Sequence, residues 1–351
     1  MTGTERIGPS PWRPWRIVGL YAAGAALVGV CYGLILTDGL IFAGVRGAVI
    51  GASIGGGTAL FETFVAGGWA RGWFARQPFA ATLAARTLAY FAIVMAALLF
   101  GLFGFPGPSP TRAEFLAGLE RDVLFSFAVA LAFNFLNAMR QLVGGDVLTS
   151  FFTGRYHKPV EEERVFLFID LAGSTQLTRR LGGAAYHRLL NRFYQDVGRA
   201  VLGAGGQIHR YVGDEMMVSW PAAKGLTGGA CLKALAGADR ALRAAAAGYL
   251  GEFGAAPGFR AGLHVGTVVT GELGYERKEI GFVGDAVNLA ARIEQAARAL
   301  DRPYLASAAL IDRTTPPPGV GLERLGPQPL RGLDAPIELV SLHVDAAAES
   351  G

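Results

Sequence analysis

Two carboxylates lie at points where the sequence predicts the end of a strand. Asp170 ends the apolar run RVFLFIDL, residues 164–171, which is typical of a buried strand. Asp214 lies in HRYVGDEMMVSW, residues 209–220, where Gly213-Asp214 separates two segments of strand-forming residues. Taken alone, Asp170 could cap a helix and Asp214 could serve only a turn. If the strands are neighbours, the two carboxylates converge, and such hard oxygen ligands favour Mg²⁺ or Mn²⁺ over zinc.

A loop of small residues follows Asp170 directly. It begins at Ala172, and Ser174-Thr175 precede apolar residues at helical spacing as far as Val201. Backbone N–H groups at the start of such a helix suit a phosphate. Two divalent ions next to that phosphate could activate an attacking oxygen and neutralise the leaving phosphates. The two aspartates and the loop together favour a metal-dependent site that acts on phosphates.

The elements that must position these residues alternate between strand and helix. After the helix to Val201, the patterns predict strands at 207–213 and 215–220, a helix at about 226–249, strands at 259–274 and 279–285, a helix at 286–300 and short strands in 303–343. This order predicts an α+β or α/β sandwich with a mixed sheet covered by helices.

The first part of the chain is far more apolar than the second. Four runs reach the length of about 20 residues that crosses a bilayer, and they cover about 17–36, 40–66, 80–103 and 123–143. They predict an all-α bundle of four transmembrane helices. Arginines before the first run and between the second and third place the N-terminus and the second half in the cytoplasm. We therefore predict a transmembrane domain at 1–143, a cytoplasmic junction at 144–163 and a soluble domain at 164–345.

Charged and polar side chains outside the aspartate site have simpler explanations. The net charge of +4 reflects membrane topology, and no nucleic-acid partner is expected. Arg46, Glu62 and Arg86 lie in or at the ends of apolar runs, within reach of an interface to which they can snorkel. The Glu161–Glu163 run is predicted to be solvated surface. The remaining candidates show no metal-ligand spacing: Cys31, Cys231, His209, His264 and His343.

Four segments, taken together, resemble the hallmark segments of class III adenylyl and guanylyl cyclase catalytic domains. They are FIDLAGSTQL, VGDEMMVSW, FRAGLHVGTVVTGELG and FVGDAVNLAARIE, in the family's order within about 160–343. The resemblance implies an α+β domain with a mixed, mainly antiparallel sheet. It implies that the 3′-hydroxyl of a nucleoside triphosphate attacks the α-phosphorus, which yields a 3′,5′-cyclic monophosphate and pyrophosphate. The apolar half resembles the multi-span anchors of bacterial members in architecture, which implies a protein of the bacterial inner membrane.

The resemblance assigns ligands for two Mg²⁺ or Mn²⁺ ions. Asp170 and Asp214 match the metal-binding aspartates, and the carbonyl of Leu171 matches a further ligand. The loop residues match the segment whose backbone holds the β- and γ-phosphates: Ala172, Gly173, Ser174 and Thr175.

The resemblance also implies a second set of residues and a partner. Asn288 and Arg292 match the pair that orients the ribose and stabilises charge on the α-phosphate, and their i, i+4 spacing places both on one helix face. Arg260 and Arg331 match basic residues that reach the triphosphate. Because the family takes its aspartates from one protomer and the Asn/Arg helix from the other, a single chain implies a head-to-tail homodimer.

The sequence departs from the family at the two positions that select the purine. Arg210 lies where a lysine is usual, and Gly281 lies where an aspartate or threonine is usual. Arginine can still donate to a ring nitrogen, with a bulkier geometry, whereas glycine offers no side chain. The family's frequency favours ATP, and thus an adenylate cyclase; a guanylate or promiscuous purine nucleotide cyclase is the alternative.

Two further hypotheses assign other functions. A catalytically silent membrane receptor would bind a nucleotide and signal by contact, but the chain retains both aspartates, Asn288 and Arg292. A diguanylate cyclase would share the VGDEM hairpin, but the GDAVNLAAR helix argues against it.

Overall fold

The structure is a computed structural model that describes residues 13–36, 41–74, 76–103, 154–275 and 278–345, with scattered positions between 118 and 139. The chain divides into two compact units, Met1–Val143 and Gly144–Gly351.

The described residues of the first unit are mainly helical. Its helices are α1 (Arg13–Leu36), α2 (Ile41–Leu60), which continues as a π-helical segment (Phe61–Trp69), α3 (Arg71–Phe74) and α4 (Phe79–Phe103). Among the described residues, three stretches are long and apolar enough to cross a membrane: Val18–Ile35, Ile41–Trp69 and Ala80–Gly101. The structure thus supports three of the four predicted spans. Of the fourth, at 123–143, only scattered positions are described, and the first part of the predicted junction, at 144–153, lies outside the described residues.

Helices α1 and α2 pack backbone against backbone. A Cβ atom on Gly47 would lie 2.1 Å from the carbonyl oxygen of Gly29, and one on Gly33 would lie 2.3 Å from that of Ala43. A Cβ on Gly51 would lie 2.2 Å from the carbonyl oxygen of Ala25. Small residues at such positions let apolar helices approach closely where hydrophobic burial does not drive association. The glycines of GAVIGASIGGG therefore define the α1–α2 contact.

Two of the three charges in the apolar runs pair with each other. Tyr90 donates a hydrogen bond of 2.7 Å from its hydroxyl to Oε1 of Glu62, and Nε of Arg86 lies 3.6 Å from the same oxygen. The side chain of Arg86 is 11% exposed. The expectation that all three charges snorkel is therefore wrong for Glu62 and Arg86, because an ion pair compensates their charges inside the unit. Arg46 is exposed.

The described residues of the second unit form eight strands. They are β1 (Val160–Leu171), β2 (Gln207–Val212), β3 (Glu215–Pro221), β4 (Phe259–Leu273), β5 (Glu279–Val283), β6 (Tyr304–Ser307), β7 (Val320–Gln328) and β8 (Ile337–Val344). Its α-helices are α5 (Ser174–Leu181), α6 (Gly183–Gly203), α7 (Ala222–Leu226), α8 (Ala230–Phe253), α9 (Asp285–Ala299) and α10 (Ala308–Ile311).

The strands form one mixed sheet in the order β2-β3-β1-β4-β6-β8-β7, with β5 paired to the far end of β4. Only the β4–β6 pair is parallel among the pairings of the described strands. The predicted α+β class with a mixed sheet is confirmed.

Strand β1 is buried on both faces. Because successive side chains of a strand point to opposite faces, Val165, Leu167 and Ile169 pack in the core with α6 and α8, whereas Phe166 and Phe168 pack with Ala286 and Ala290 of α9. By this alternation Asp170 belongs to the α9 face. The sheet therefore directs the first aspartate towards the helix that carries Asn288 and Arg292.

The structure corrects two local predictions. The single helix predicted to Val201 breaks at Gly182, whose φ of +75° favours glycine. The Glu161–Glu163 run lies within β1, and Glu162 is not solvated surface. Its Oε1 accepts hydrogen bonds from Tyr156, Arg164 and Thr270 at 2.8–3.0 Å. These donors compensate the burial of the carboxylate and hold its pKa below the usual value.

Candidate active site

The β1–β3 pair brings the two aspartates together. The strands are antiparallel, and Asp170 lies opposite Glu215, the residue after Asp214. Gly213, with φ of +64°, allows the tight turn that ends β2. The N–H of Leu171 donates to the carbonyl oxygen of Asp214 at 3.4 Å, which ties this turn to the end of β1. The predicted convergence of Asp170 and Asp214 is thus present in a single chain.

Negative charge accumulates at this point of the sheet. Burial, followed by the charge of Asp214, raises the pKa of Asp170, although Arg260 opposes the shift with its Nη2 3.4 Å from Oδ2. Burial and the charges of both aspartates also raise the pKa of Glu215. A divalent cation would relieve this repulsion, and the carboxylate and carbonyl oxygens are hard ligands of the type that Mg²⁺ and Mn²⁺ prefer. The described residues contain no cluster of three or more His, Cys, Asp or Glu side chains with metal-binding geometry. Ligation by Asp170, Asp214 and the Leu171 carbonyl stays a prediction.

The loop after Asp170 leads into a helix without a side-chain cap. Gly173, with φ of +72°, is the N-cap of α5, and no side chain accepts a hydrogen bond from the first turn. The N–H of Ala172 donates to the carbonyl oxygen of Gly258 at 2.9 Å, which fixes the start of the loop. Uncapped amides at a helix start suit an anion. The predicted segment 172–175 thus lies directly beside the aspartates, with the N–H of Ala172 already bonded and the amides that follow it at an uncapped helix start.

Arg260 connects the aspartates to a buried acid that the sequence analysis missed. Its Nε lies 3.9 Å from Oε1 of Glu294, which is 5% exposed on α9. Burial, then the charge of Asp170, raises the pKa of Glu294 to about 7. A Cβ on Gly262 would lie 2.2 Å from the backbone nitrogen of Glu294, so the glycine permits this close approach of β4 and α9. In the sequence, Glu294 is visible only as the acid that follows the segment AVNLAARI, residues 286–293.

The two faces of α9 lie against different parts of the structure. Arg292 donates from Nη1 to the carbonyl oxygen of Gly332 at 2.6 Å, and Arg331 beside it is exposed. Asn288, four residues before Arg292, is also exposed. Because an α-helix has 3.6 residues per turn, Arg292 and Glu294 point in nearly opposite directions. The structure therefore brings Arg292 to the Arg331 segment, but on the side of α9 away from the chain's own aspartates.

The structure shows contacts of Arg210 and Gly281 that the sequence did not predict. Arg210 on β2 forms an ion pair with Glu279 on β5, and both side chains are exposed by nearly half. A Cβ on Gly281 would lie 2.1 Å from Cδ1 of Leu273, so Leu273 fills the space that a side chain at 281 would need. Glu279 and Leu273 were not predicted as site residues, because their relation to Arg210 and Gly281 depends on strand pairing.

Two of the three histidines of the sheet are buried and partnered. His209 shares a hydrogen bond of 2.8 Å with Ser219, and His264 shares one of 2.8 Å with Ser307. Burial lowers the pKa of His209 to about 3 and that of His264 to about 4. Both are therefore neutral at physiological pH, in keeping with the structural roles expected for them.

The fold and this site agree with similarity to one enzyme class. Residues 156–301 match the family model of the adenylate and guanylate cyclase catalytic domain. The matched segment includes both aspartates, Arg260, Asn288 and Arg292, whereas Arg331 lies beyond it. The second unit is therefore a cyclase-like α+β domain with a mixed sheet.

Individual relatives carry the name adenylate cyclase. The chain is 37% identical over 229 residues to adenylate cyclase 2 of Rhizobium meliloti (strain 1021), which covers 65% of this chain and 63% of that protein. It is 34% identical over 135 residues to an adenylate cyclase of Anabaena cylindrica, which covers 36% of this chain and 26% of that protein. The first alignment is longer than the unit Gly144–Gly351, so it extends into the apolar unit.

A solved structure shows the same fold. The structure of a bacterial light-regulated adenylyl cyclase aligns with a TM-score of 0.51 and 20% identity, and the alignment covers 67% of this chain and 66% of that chain.

Proposed function

We propose that this protein is a membrane-bound adenylate cyclase that converts ATP to 3′,5′-cyclic AMP and pyrophosphate in intracellular cyclic nucleotide signalling. The observation that carries the proposal is the convergence of Asp170 and Asp214 beside an uncapped helix start, inside a cyclase-like domain. The identity of 37% with a protein named adenylate cyclase 2 supports ATP as the substrate.

The chain's own residues would divide the chemistry as follows. Asp170, Asp214 and the Leu171 carbonyl would hold two Mg²⁺ or Mn²⁺ ions, which supply activation of the attacking hydroxyl and neutralisation of phosphate charge. In the segment 172–175, Ala172 would fix the start of the loop through its bond to Gly258, and the amides of residues 173–175 would hold the β- and γ-phosphates. Arg260 would exchange its contacts with Asp170 and Glu294 for a phosphate oxygen. Each of these groups is already assembled in one chain.

The remaining groups would come from a second copy of the chain. Asn288, Arg292 and Arg331 lie on the other side of α9 from the aspartates, so a complete site needs the α9 face of a partner. Exposed apolar side chains on β2 and on the β4–β5 hairpin support such an interface: Tyr211 (52% exposed), Val212 (58%), Leu273 (45%) and Val283 (60%). A head-to-tail homodimer would then hold two equivalent sites, in which Asn288 orients the ribose and Arg292 stabilises charge on the α-phosphate.

The purine would lie near Arg210 and Gly281. Leu273 presents an apolar surface at Gly281, and the Arg210–Glu279 pair offers donors and acceptors side by side. The carboxylate could accept from the 6-amino group of adenine, and the guanidinium could donate to N1. Glu279 would thereby supply the acceptor that Gly281 lacks.

The apolar unit would anchor the protein in the bacterial inner membrane. The three apolar helices of the described residues and the fourth run predicted at 123–143 would make four crossings, which return the chain to its starting side. The arginines before the first run and between the second and third would then place the N-terminus and the catalytic domain in the cytoplasm. The domain limits that we propose are 1–143 for the membrane, 144–163 for the junction and 164–345 for the catalytic domain.

A product assay tests the activity. Purified protein with Mn²⁺ and either ATP or GTP should yield cyclic AMP from ATP, identified by mass. Asp214→Asn should abolish the product, while Asp312→Asn, which removes an exposed acid paired with Arg324, should not. Cyclic GMP as the main product would establish the guanylate alternative, a cyclic dinucleotide would indicate a diguanylate cyclase, and the absence of any product would indicate a silent receptor.

A mixing experiment tests the shared site. Asp170→Asn and Arg292→Ala should each be inactive alone, and mixed dimers should regain activity through one site in which all groups are intact. No recovery in dimers verified to contain both chains would refute the shared site without affecting the assignment of the aspartates.

A further inference from the structure

The hydroxyl of Tyr194 spans the turn that carries Asp214. It donates to the carbonyl oxygen of Gly213 at 2.8 Å and lies 3.4 Å from the carbonyl oxygen of Glu215. These two carbonyls flank Asp214 on either side. Among the described residues, no other side chain hydrogen-bonds to the backbone of both neighbours of this aspartate.

The placement of Tyr194 is rigid. It follows Phe193, which is fully buried in the core between α6 and the sheet. Its ring packs on that of Tyr211 at a centroid distance of 4.4 Å. The turn is thus held by Tyr194 on one side and, on the other, by the N–H of Leu171, which donates to the carbonyl of Asp214.

We propose that Tyr194 is a positioning residue that sets the orientation of Asp214 for a divalent cation, an inference that rests on the proposed function. Rotation of the Gly213–Asp214 peptide would swing the carboxylate away from Asp170, and Gly213 alone imposes little restraint on that rotation. Metal sites require their ligands within a narrow range of geometry, and supporting hydrogen bonds supply it.

The phenol remains a donor under working conditions. Burial, followed by the negative charge of Asp214, raises the pKa of the Tyr194 hydroxyl well above its usual value. The residue therefore carries its proton throughout the pH range in which the aspartates are ionised.

The experiment uses the full chain in detergent micelles, with Mn²⁺ as the probe and 3′-deoxy ATP, which lacks the attacking hydroxyl. The Mn²⁺ concentration that gives half of the thermal stabilisation measures cation binding without turnover. Tyr194→Phe should raise it roughly three- to tenfold, as expected for one lost hydrogen bond. With ATP, the Mn²⁺ needed for half-maximal activity should rise by a similar factor, and the rate should largely recover at saturating Mn²⁺.

Two controls separate positioning from general stability. Tyr249→Phe removes a hydroxyl that donates to Asp196 at 2.9 Å on a fully buried ring, and it should change the melting temperature but not the Mn²⁺ dependence. Tyr304→Phe removes a buried hydroxyl that donates to Asp239 at 2.7 Å, and it should likewise leave the Mn²⁺ dependence unchanged.

The outcomes distinguish the two levels of the inference. An unchanged Mn²⁺ dependence in Tyr194→Phe would overturn the role of Tyr194 and leave the proposed metal site intact. Equal Mn²⁺ effects of Tyr194→Phe and Tyr249→Phe would reduce Tyr194 to a structural residue. Stabilisation by Mn²⁺ that persists in Asp214→Asn would overturn the metal site itself, and the positioning role with it.

Discussion

The two units of this chain achieve close packing by opposite means. In the apolar unit, α1 and α2 meet through glycines, and an ion pair joins Glu62 of the π-helical segment to Arg86 of α4. In the catalytic unit, the interior itself holds charge: Arg164 is 2% exposed and donates to Ser219 at 2.8–3.0 Å. The second unit thus satisfies a buried charge with hydrogen bonds, whereas the α1–α2 contact of the first unit depends on the absence of side chains.

The largest expected effect is a loss of activity without a loss of stability. Asp170→Asn should lower the cyclase rate by at least about a thousandfold, while the melting temperature stays equal or rises. The pKa of Asp170 is raised by burial and by Asp214, so the ionised group opposes folding at neutral pH and its removal relieves repulsion. Turnover and thermal melting of the same preparation check this. A marked loss of stability would show that Asp170 has a structural role.

The buried charge network should be the most sensitive part of the catalytic unit's stability. Arg164→Met would leave Glu162 and Ser219 without their main donor, and we expect a loss of about 3–5 kcal/mol in the free energy of unfolding. The control is Arg313→Met, which breaks the exposed pair with Glu163 and should cost about 0–1 kcal/mol. Chemical denaturation compares the two. Similar losses would contradict the distinction between the units' interiors.

The stability of the apolar unit should depend on side-chain volume at the α1–α2 contact and not on charge. Gly47→Leu would place side-chain atoms inside the backbone of Gly29, and we expect a loss of about 2–3 kcal/mol because backbone cannot move aside cheaply. The control is Gly24→Leu on α1, where no atom lies within 4 Å of an added Cβ. Unfolding in a detergent titration measures both. Tolerance of Gly47→Leu would mean that α1 and α2 do not pack through their glycines.

Glu294 should impose a pH dependence on the catalytic unit. Its folded pKa of about 7 exceeds the ordinary value of 4.5, owing to burial and to Asp170, Glu215 and Asp214, with Arg260 in opposition. The protonated acid therefore contributes stability that is complete below about pH 4.5 and is lost as the pH rises through about 7.

Glu294→Gln should remove this contribution and flatten the stability between pH 5 and 7.5 by about 1–2 kcal/mol. Thermal melting in EDTA across this range provides the measurement, with the exposed Glu252→Gln as the control. Parallel curves for wild type and Glu294→Gln would contradict the raised pKa.

The smallest expected effect concerns the choice of base. Glu279→Ala should change the ratio of kcat/KM for ATP and GTP by about five- to fiftyfold, the value of one or two hydrogen bonds. Glu323→Ala, which breaks an exposed pair with Arg302, should leave the ratio unchanged. An unaltered ratio in Glu279→Ala would remove the Arg210–Glu279 pair from the base site.

Local patterns sufficed for the turn that carries Asp214 and for the strand that carries Arg260. The Gly213-Asp214 turn between β2 and β3, and the long strand from Phe259 to Leu273, follow from alternation and turn residues. Gly182 and Gly183, directly after Leu181, indicated a helix break. The apolar residues at helical spacing on both sides of them predicted one continuous helix instead.

The missed features all depend on tertiary contacts. Glu162 is one of three consecutive acids, and the sequence predicted that it is solvated. In the structure it accepts hydrogen bonds from Arg164, Tyr156 and Thr270. The pairing of Arg210 with Glu279 requires residues 69 positions apart to meet across the sheet. The position of Glu294 depends on the close approach of α9 to β4, which Gly262 permits. The assignments of the site residues themselves stay predictions.

The absence of a side chain at Gly262 has a genetic consequence. An added methyl group there would displace α9, and with it Glu294 in one site and Asn288 and Arg292 in the site of the partner in the proposed dimer. In a cell that makes both versions of the chain, each mixed dimer would contain two altered sites, whereas loss of Asp170 would disable only one. A substitution at this glycine would therefore behave as the more dominant allele, although it touches no substrate.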